Sequence, residues 1–209
     1  MPQRNPFLGA VTAVALTAAA IPAAAADVER GRQAAQPCIA CHQADGAGNA
    51  ALGYPRLDLF AEDYIIQQLQ HFKAGHRQNP LMQPFARNLN EQQMADIAAY
   101  YGAQQAAVPT PPATDAALLA QGEKLVHQGD WDRHIPACTS CHGPDNRGVG
   151  ASFPALAGQH ASYIESQLQA WRNGTRSHDP LNLMLAVAGR MTDSDIKAAA
   201  AYLAAQPAK

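Results

Sequence analysis

Four cysteines and two histidines carry the chemistry that can be read from this chain. They stand in a pentapeptide that occurs twice, Cys38-Ile39-Ala40-Cys41-His42 and Cys138-Thr139-Ser140-Cys141-His142. Two thiols three positions apart on one helical turn can reach the two vinyl groups of a single porphyrin. The histidine directly after the second thiol can turn its imidazole onto the iron. C-x-x-C-H is accordingly the attachment signature of c-type haem. The two copies use every cysteine of the chain. Competing readings fit less well. A thioredoxin-type dithiol belongs in a βαβ setting, and no strand-like run flanks either copy. Zinc ribbons pair C-x-x-C units at close range, whereas Cys41 and Cys138 lie 97 positions apart. A disulfide within each C-x-x-C would leave the adjacent histidines without a role. The sequence therefore predicts two covalently bound haem c groups on Cys38, Cys41, Cys138 and Cys141, with His42 and His142 as iron ligands.

The two halves match beyond the pentapeptide. Cys38 pairs with Cys138, Pro55 with Pro154, Tyr64 with Tyr163, Gly75 with Gly174 and Tyr100 with Tyr202, at offsets of 100, 99, 99, 99 and 102. Two long units of this kind are a duplicated domain, not a solenoid. The repeat also sorts the candidates for the second axial position on each iron. Met94 aligns with Ile196 and Met191 with Leu89, so both are replaceable by a hydrocarbon. Met82 and Met184 align with each other, 40 and 42 residues after their histidines, in Pro-containing loops. A loop methionine kept in both copies of a duplication fits thioether ligation of iron, which raises the reduction potential relative to a second imidazole. The competing reading is that both fill gaps in the core. His71, His76, His127, His134, His160 and His178 have no histidine at the equivalent place in the other half and are assigned to surface or capping positions. The carbonyls of Pro55 and Pro154, 13 and 12 residues after the histidines, could accept an imidazole proton or simply end a loop.

These residues need helices to hold them. A short helical pattern at 27–36 leads into the first motif. Tyr64, Ile65, Leu69 and Phe72 recur at helical spacing over 61–74, with Gly75 as the stop. Asn90 and Gln93 form a capping box for a helix over 91–103, with Met94, Ile97, Ala98 and Tyr101 as its buried stripe. Between these helices, Pro80 and Pro84 mark a loop. The second half replays the plan with helices over 115–128 and 160–173 and a last one to Ala205, capped by Thr192 and Asp195. No alternating strand pattern is found. The fold class is all-α, two tandem domains of three main helices, each around one haem.

Composition sets the frame. Arg4, the apolar run from Phe7 to Ile21 and Ala24-Ala25-Ala26 read as a secretory signal peptide over 1–26, cleaved before Asp27, so the protein is expected to be exported. The first domain spans 27–103, a semi-rigid linker with Pro109, Pro111 and Pro112 spans 104–114, and the second domain spans 115–209. The mature chain has 14 basic and 17 acidic residues, without the clustered positive surface that nucleic-acid binding needs. A domain of about 90 residues has a small core on its own, so the porphyrin would serve as core as well as cofactor.

The chain is similar to a class I cytochrome c duplicated in tandem, and specifically resembles the dihaem cytochrome c4 family. The resemblance rests on both C-x-x-C-H motifs, on Phe153-Pro154-Ala155-Leu156-Ala157-Gly158-Gln159, and on Asn88-Leu89, Ala95-Asp96-Ile97-Ala98-Ala99-Tyr100 and Met191-Thr192-Asp193-Ser194-Asp195-Ile196. It covers essentially all of the mature chain. It implies a periplasmic electron carrier with two His/Met haems, proline carbonyls on the proximal histidines, redox-protein partners (an oxidase, reductase or dehydrogenase), and in some members loose association with the inner membrane. One departure is that Leu57-Asp58-Leu59-Phe60 replaces the Leu-Ala-Gly-Gln segment in the first half. That departure admits a dihaem subunit of a larger complex, such as a flavocytochrome c sulfide dehydrogenase. With both irons six-coordinate there is no open position for a small-molecule substrate, so the expectation is an electron carrier and not an enzyme. A dihaem peroxidase would need one five-coordinate haem and a polar distal pocket with an acid/base group.

Overall fold

A computed structural model describes residues 25–107 and 114–208. Most of the expected leader and residues 108–113 of the expected linker lie outside the described residues. The first half contains α1 (Val28–Ala34), α2 (Gln36–His42), α3 (Glu62–Ala74), α4 (Met82–Arg87) and α5 (Glu91–Gly102). The second contains α6 (Ala116–His127), α7 (Thr139–His142), α8 (Ala161–Arg172), α9 (Leu183–Ala188) and α10 (Asp193–Ala205). Among the described residues no strand forms; extended backbone pairs only in single antiparallel bridges, such as Asn49 with Tyr54.

The helix starts have visible causes. Asn90 and Gln93 exchange side-chain and backbone bonds at the start of α5, and Thr192 and Asp195 do the same for α10. Each box satisfies two of the backbone donors that a helix N-terminus leaves open. α3 ends on Gly75, which adopts the left-handed conformation that glycine accepts without steric cost.

In each half the first helix packs against the last, α1 on α5 and α6 on α10. The crossing is close enough to require glycine. A Cβ on Gly31 would overlap the Asp96 carbonyl, and one on Gly122 the Ala198 carbonyl. α3 packs on α4 and α5, and α8 on α9 and α10. One core gathers Phe60, Ile65, Leu69, Met94, Ile97 and Tyr101. The other gathers Val126, Ile164, Leu168, Trp171, Met191, Ile196 and Leu203. Met94 and Met191 are thus core residues, as the repeat implied.

Two sequence expectations need correction. Met82 and Met184 do not lie in plain loops: Met82 opens α4 and Met184 is the second residue of α9. Pro84 does not break α4 because it stands in the first turn, where an N–H has no intrahelical partner to lose. Residues 104–107 are not free of the first domain either. Ala106 is buried, its N–H donates to Asp58 and its carbonyl accepts from Arg56.

The halves meet across a continuous seam. Tyr163 of α8 packs into the first core. Gln159 bonds both ways with the Arg56 backbone, accepting its N–H at Oε1 and donating from Nε2 to its carbonyl, each at 2.9 Å. His160 Nε2 lies 2.9 Å from the Ala47 carbonyl. Of the Gly-Gln step that the first half lacks, Gln159 is spent on the domain contact, while Gly158 packs on Ala208 and donates to the Leu203 carbonyl within its own half. In the first half Phe60 fills the equivalent place and packs on Tyr64 at 4.9 Å between ring centroids.

Candidate functional site

Each half encloses one cleft. The first is lined by Cys38, Cys41, His42, Pro55, Tyr64, Leu69, Met82 and Ile97. The second is lined by Cys138, Cys141, His142, Pro154, Tyr163, Leu168, Met184 and Leu203. Every site residue expected from the sequence thus borders one of two matching cavities. Their empty space, about 1420 and 1340 Å³ including the part open to solvent, accommodates a flat macrocycle.

The thiols are positioned by short helices. Cys38, Cys41 and His42 lie on α2. Cys138 is the N-cap of α7, which carries Cys141 and His142. After each histidine the chain reverses, and the His42 and His142 carbonyls accept the Gly48 and Gly148 N–H groups at 3.0 and 2.9 Å. Gly48 has φ +67° and rests on the Pro55 carbonyl, leaving no room for a side chain. This turn brings the two prolines onto the imidazoles. His42 Nδ1 lies 3.1 Å from Pro55 O, and His142 Nδ1 lies 2.7 Å from Pro154 O. A carbonyl only accepts, so each ring carries its proton on Nδ1 and keeps a lone pair on Nε2. Burial lowers the pKa of both histidines, against the proline hydrogen bonds, and so favours neutral rings. Neutral imidazole with a second-shell acceptor is the form that ligates metals. Burial also pushes the Cys38 and Cys138 thiols up to about 11.

Sequence reasoning missed a pair of arginines. Arg77 and Arg176, both 6% exposed, stand at the seam between the clefts. Arg77 Nη2 donates to Tyr163 OH and Gln167 Oε1, and Nη1 to Gln68 Oε1. Arg176 Nη2 donates to Tyr64 OH and Gln68 Oε1, and Nη1 to Gln167 Oε1. All these acceptors are neutral, and neither arginine forms an ion pair with a carboxylate among the described residues. Burial and the nearby Arg77 charge lower the pKa of Arg176. A buried cation without an anion is costly. Arg176 also lies 3.8 Å over the Trp171 ring, whose buried Nε1 has no hydrogen-bond partner. Two guanidinium groups and an orphaned indole N–H beside apolar clefts suit the carboxylates of a haem, which would supply the missing charge. The donor set therefore fits the group that the cysteine motifs imply.

The fold and these clefts define a tandem c-type cytochrome. A sequence profile described as Cytochrome c matches residues 28–101 and 119–206. The chain is 47% identical over 197 residues to the thiosulfate dehydrogenase electron acceptor of Thiomonas intermedia, covering 94% of this chain and 91% of that one. Its fold matches the crystal structure of reduced recombinant cytochrome c4 from Pseudomonas stutzeri with a TM-score of 0.80 and 37% identity, over 88% of this chain and all of the other. It also matches the thiosulfate dehydrogenase TsdBA of Marichromatium purpuratum with a TM-score of 0.79 and 43% identity, over 86% of this chain but only 40% of that longer one. The chain belongs to the dihaem cytochrome c4 family within the cytochrome c proteins. It is an electron-transfer protein with two covalently bound haem c groups, and not an enzyme.

Proposed function

We propose that the protein is an exported, periplasmic carrier that takes electrons from a sulfur-oxidising dehydrogenase and passes them on to a further redox protein. In this reading Cys38 and Cys41 hold one haem and Cys138 and Cys141 the other. Each thiol would hold its haem by one thioether bond to a vinyl group, its hydrogen going to the other vinyl carbon. His42 and Met82 ligate one iron, and His142 and Met184 the other. Residues 27–103 and 115–209 are the two carrier domains, joined by 104–114. The single observation that carries this reading is that two equivalent clefts each present two thiols, a neutral imidazole and a thioether on apolar walls.

The haem supplies reversible one-electron chemistry, and the chain supplies its surroundings. The Pro55 and Pro154 carbonyls hold the imidazoles in one orientation and increase their basicity. Arg77 and Arg176 bind haem carboxylates and add positive charge beside both irons. With His42, Met82, His142 and Met184 holding the two irons, no position would be left for a small molecule to be activated.

The donor class is supported by two relatives, one a thiosulfate dehydrogenase electron acceptor and one a thiosulfate dehydrogenase. This chain spans 40% of the latter. No described helix is long and apolar enough to cross a membrane. The reading is tested by mixing the oxidised holoprotein with thiosulfate and a purified thiosulfate dehydrogenase. Reduction of both haems, dependent on the enzyme, is expected. A holoprotein that stays oxidised while the enzyme reduces another acceptor overturns the donor assignment.

A further inference from the structure

The seam carries a group of side chains for which electron transfer has no evident use. His71 of α3, His76 and His178 gather from both halves. The His76 and His178 rings stack at 3.7 Å between centroids and 10° between planes. His71 stands edge-on to each, at 5.8 Å. The backbone fixes the arrangement, since Ser177 N–H donates to His76 O and Gln78 N–H to Thr175 O. The three keep a surface position, His178 exposed and His71 and His76 half-buried; their gathering across the seam is what the sequence did not announce. Parallel stacked rings do not aim their lone pairs at a common point, and no metal-holding group of three His, Cys, Asp or Glu is found among the described residues. Protons are the remaining ligand.

The cluster breaks the symmetry of the molecule. His71 and His178 line the C-terminal cleft, and none of the three lines the N-terminal one. The positions equivalent to His71, His76 and His178 are Ala170, Thr175 and Asn79, and Ala170 and Asn79 line the N-terminal cleft. The duplication thus sets imidazoles beside one haem site and non-titrating side chains at the same places beside the other.

Resting on the two-haem reading, we propose that His71, His76 and His178 form a redox-linked proton site serving the C-terminal haem. On reduction the iron gains one electron from the redox partner and the cluster takes one proton from solvent, so the added charges compensate. Linkage makes the effect reciprocal: a protonated cluster raises the potential of that haem. The charged and titratable groups around the cluster are Arg77 after α3, Arg176 after α8, and Asp179 beside His178 in the loop to α9. Tyr64 and Tyr163 hydroxyls hold the two guanidinium groups. Burial, the other two histidines and both arginines lower the pKa of His71.

The test is the pH dependence of both reduction potentials in the holoprotein. Haem methyl proton resonances resolve the two haems. Between about pH 8 and pH 5, crossing the usual histidine value, the C-terminal haem is expected to become easier to reduce. Its equilibrium constant should shift about threefold to tenfold, where tenfold is ~59 mV for a one-electron couple. The N-terminal haem is expected to change less and is the internal control. Replacing each histidine by its counterpart in the repeat, H71A with H76T and H178N, should remove the difference between the haems; H178N alone should reduce it. Equal slopes for both haems in the natural protein, or an unchanged slope in the triple variant, overturn the proposal. Two low-spin haems without the differential slope sink the proton site alone. Loss of the low-spin spectrum in the natural protein across this range sinks the ligation reading instead.

Discussion

Arg77 and Arg176 each reach across the seam to the tyrosine of the opposite half: Arg77 Nη2 donates to Tyr163 OH at 2.7 Å and Arg176 Nη2 to Tyr64 OH at 2.8 Å. Their backbones pair in a single antiparallel bridge. Duplication has placed two like charges back to back in a buried site, a costly arrangement that anions from outside the chain would relieve.

Removing either charge should make the neighbouring haem harder to reduce, because a nearby cation stabilises the added electron. Arg77→Gln and Arg176→Gln are each expected to lower a haem potential by tens of millivolts, where ~59 mV is tenfold. Potentiometric titration checks the sign. A potential that rises or stays fixed contradicts the assignment of these arginines to haem carboxylates.

The helix crossings tolerate no side chain at their centres. Gly31→Ala and Gly122→Ala would drive a methyl into the carbonyls of Asp96 and Ala198. Overpacking of this kind costs about 3 kcal/mol, occasionally more. Gly53→Ala meets nothing within 4 Å and should be tolerated far better despite its φ of +72°. Guanidinium unfolding of the three variants ranks them.

Acid should weaken both domains through a matched pair of aspartates. Hydrogen bonds from Arg30 hold the Asp96 carboxyl below its usual value. Burial pushes Asp195 up, but hydrogen bonds from Arg133 and Thr192 outweigh it and hold it well below the carboxylate range. A carboxyl whose pKa is depressed by folding stabilises above its unfolded value of about 3.9 and loses that contribution as pH falls. Stability is therefore expected to drop below about pH 4. Asp195→Asn should cost ~2 kcal/mol near neutrality and flatten this dependence, since bonds to a charged group contribute ~1.5–3 kcal/mol. Denaturant midpoints across pH provide the check.

Much of this organisation is legible in one dimension. Tyr64, Ile65, Leu69 and Phe72 mark α3 because its apolar face is continuous, and both capping boxes appear where Asn90 and Thr192 place them. The clefts follow from the spacing of Cys, Cys and His. What escapes is tertiary. Pro84 looks like a breaker until its place in the first turn of α4 is known. The start of α9 depends on Leu181 and Asn182 in left-handed backbone, which neither residue type announces. Arg77 and Arg176 do recur two residues after Gly75 and Gly174, so the duplication itself carried that signal. What they share is visible only once α3 and α8 meet. The histidine cluster has no such signal, because its members come from both halves and each aligns with a non-histidine in the other copy.

The central claim is closure of both irons by an imidazole and a thioether, and it is tested most directly by the visible spectra of Met82→Ala and Met184→Ala against the natural holoprotein. The natural ferric protein should show the weak red-edge band of thioether-ligated haem at an intensity accounting for two haems, without a high-spin component. Each variant should lose half of that band and gain an iron site open to added ligands. A full-intensity band retained in either variant would contradict the account.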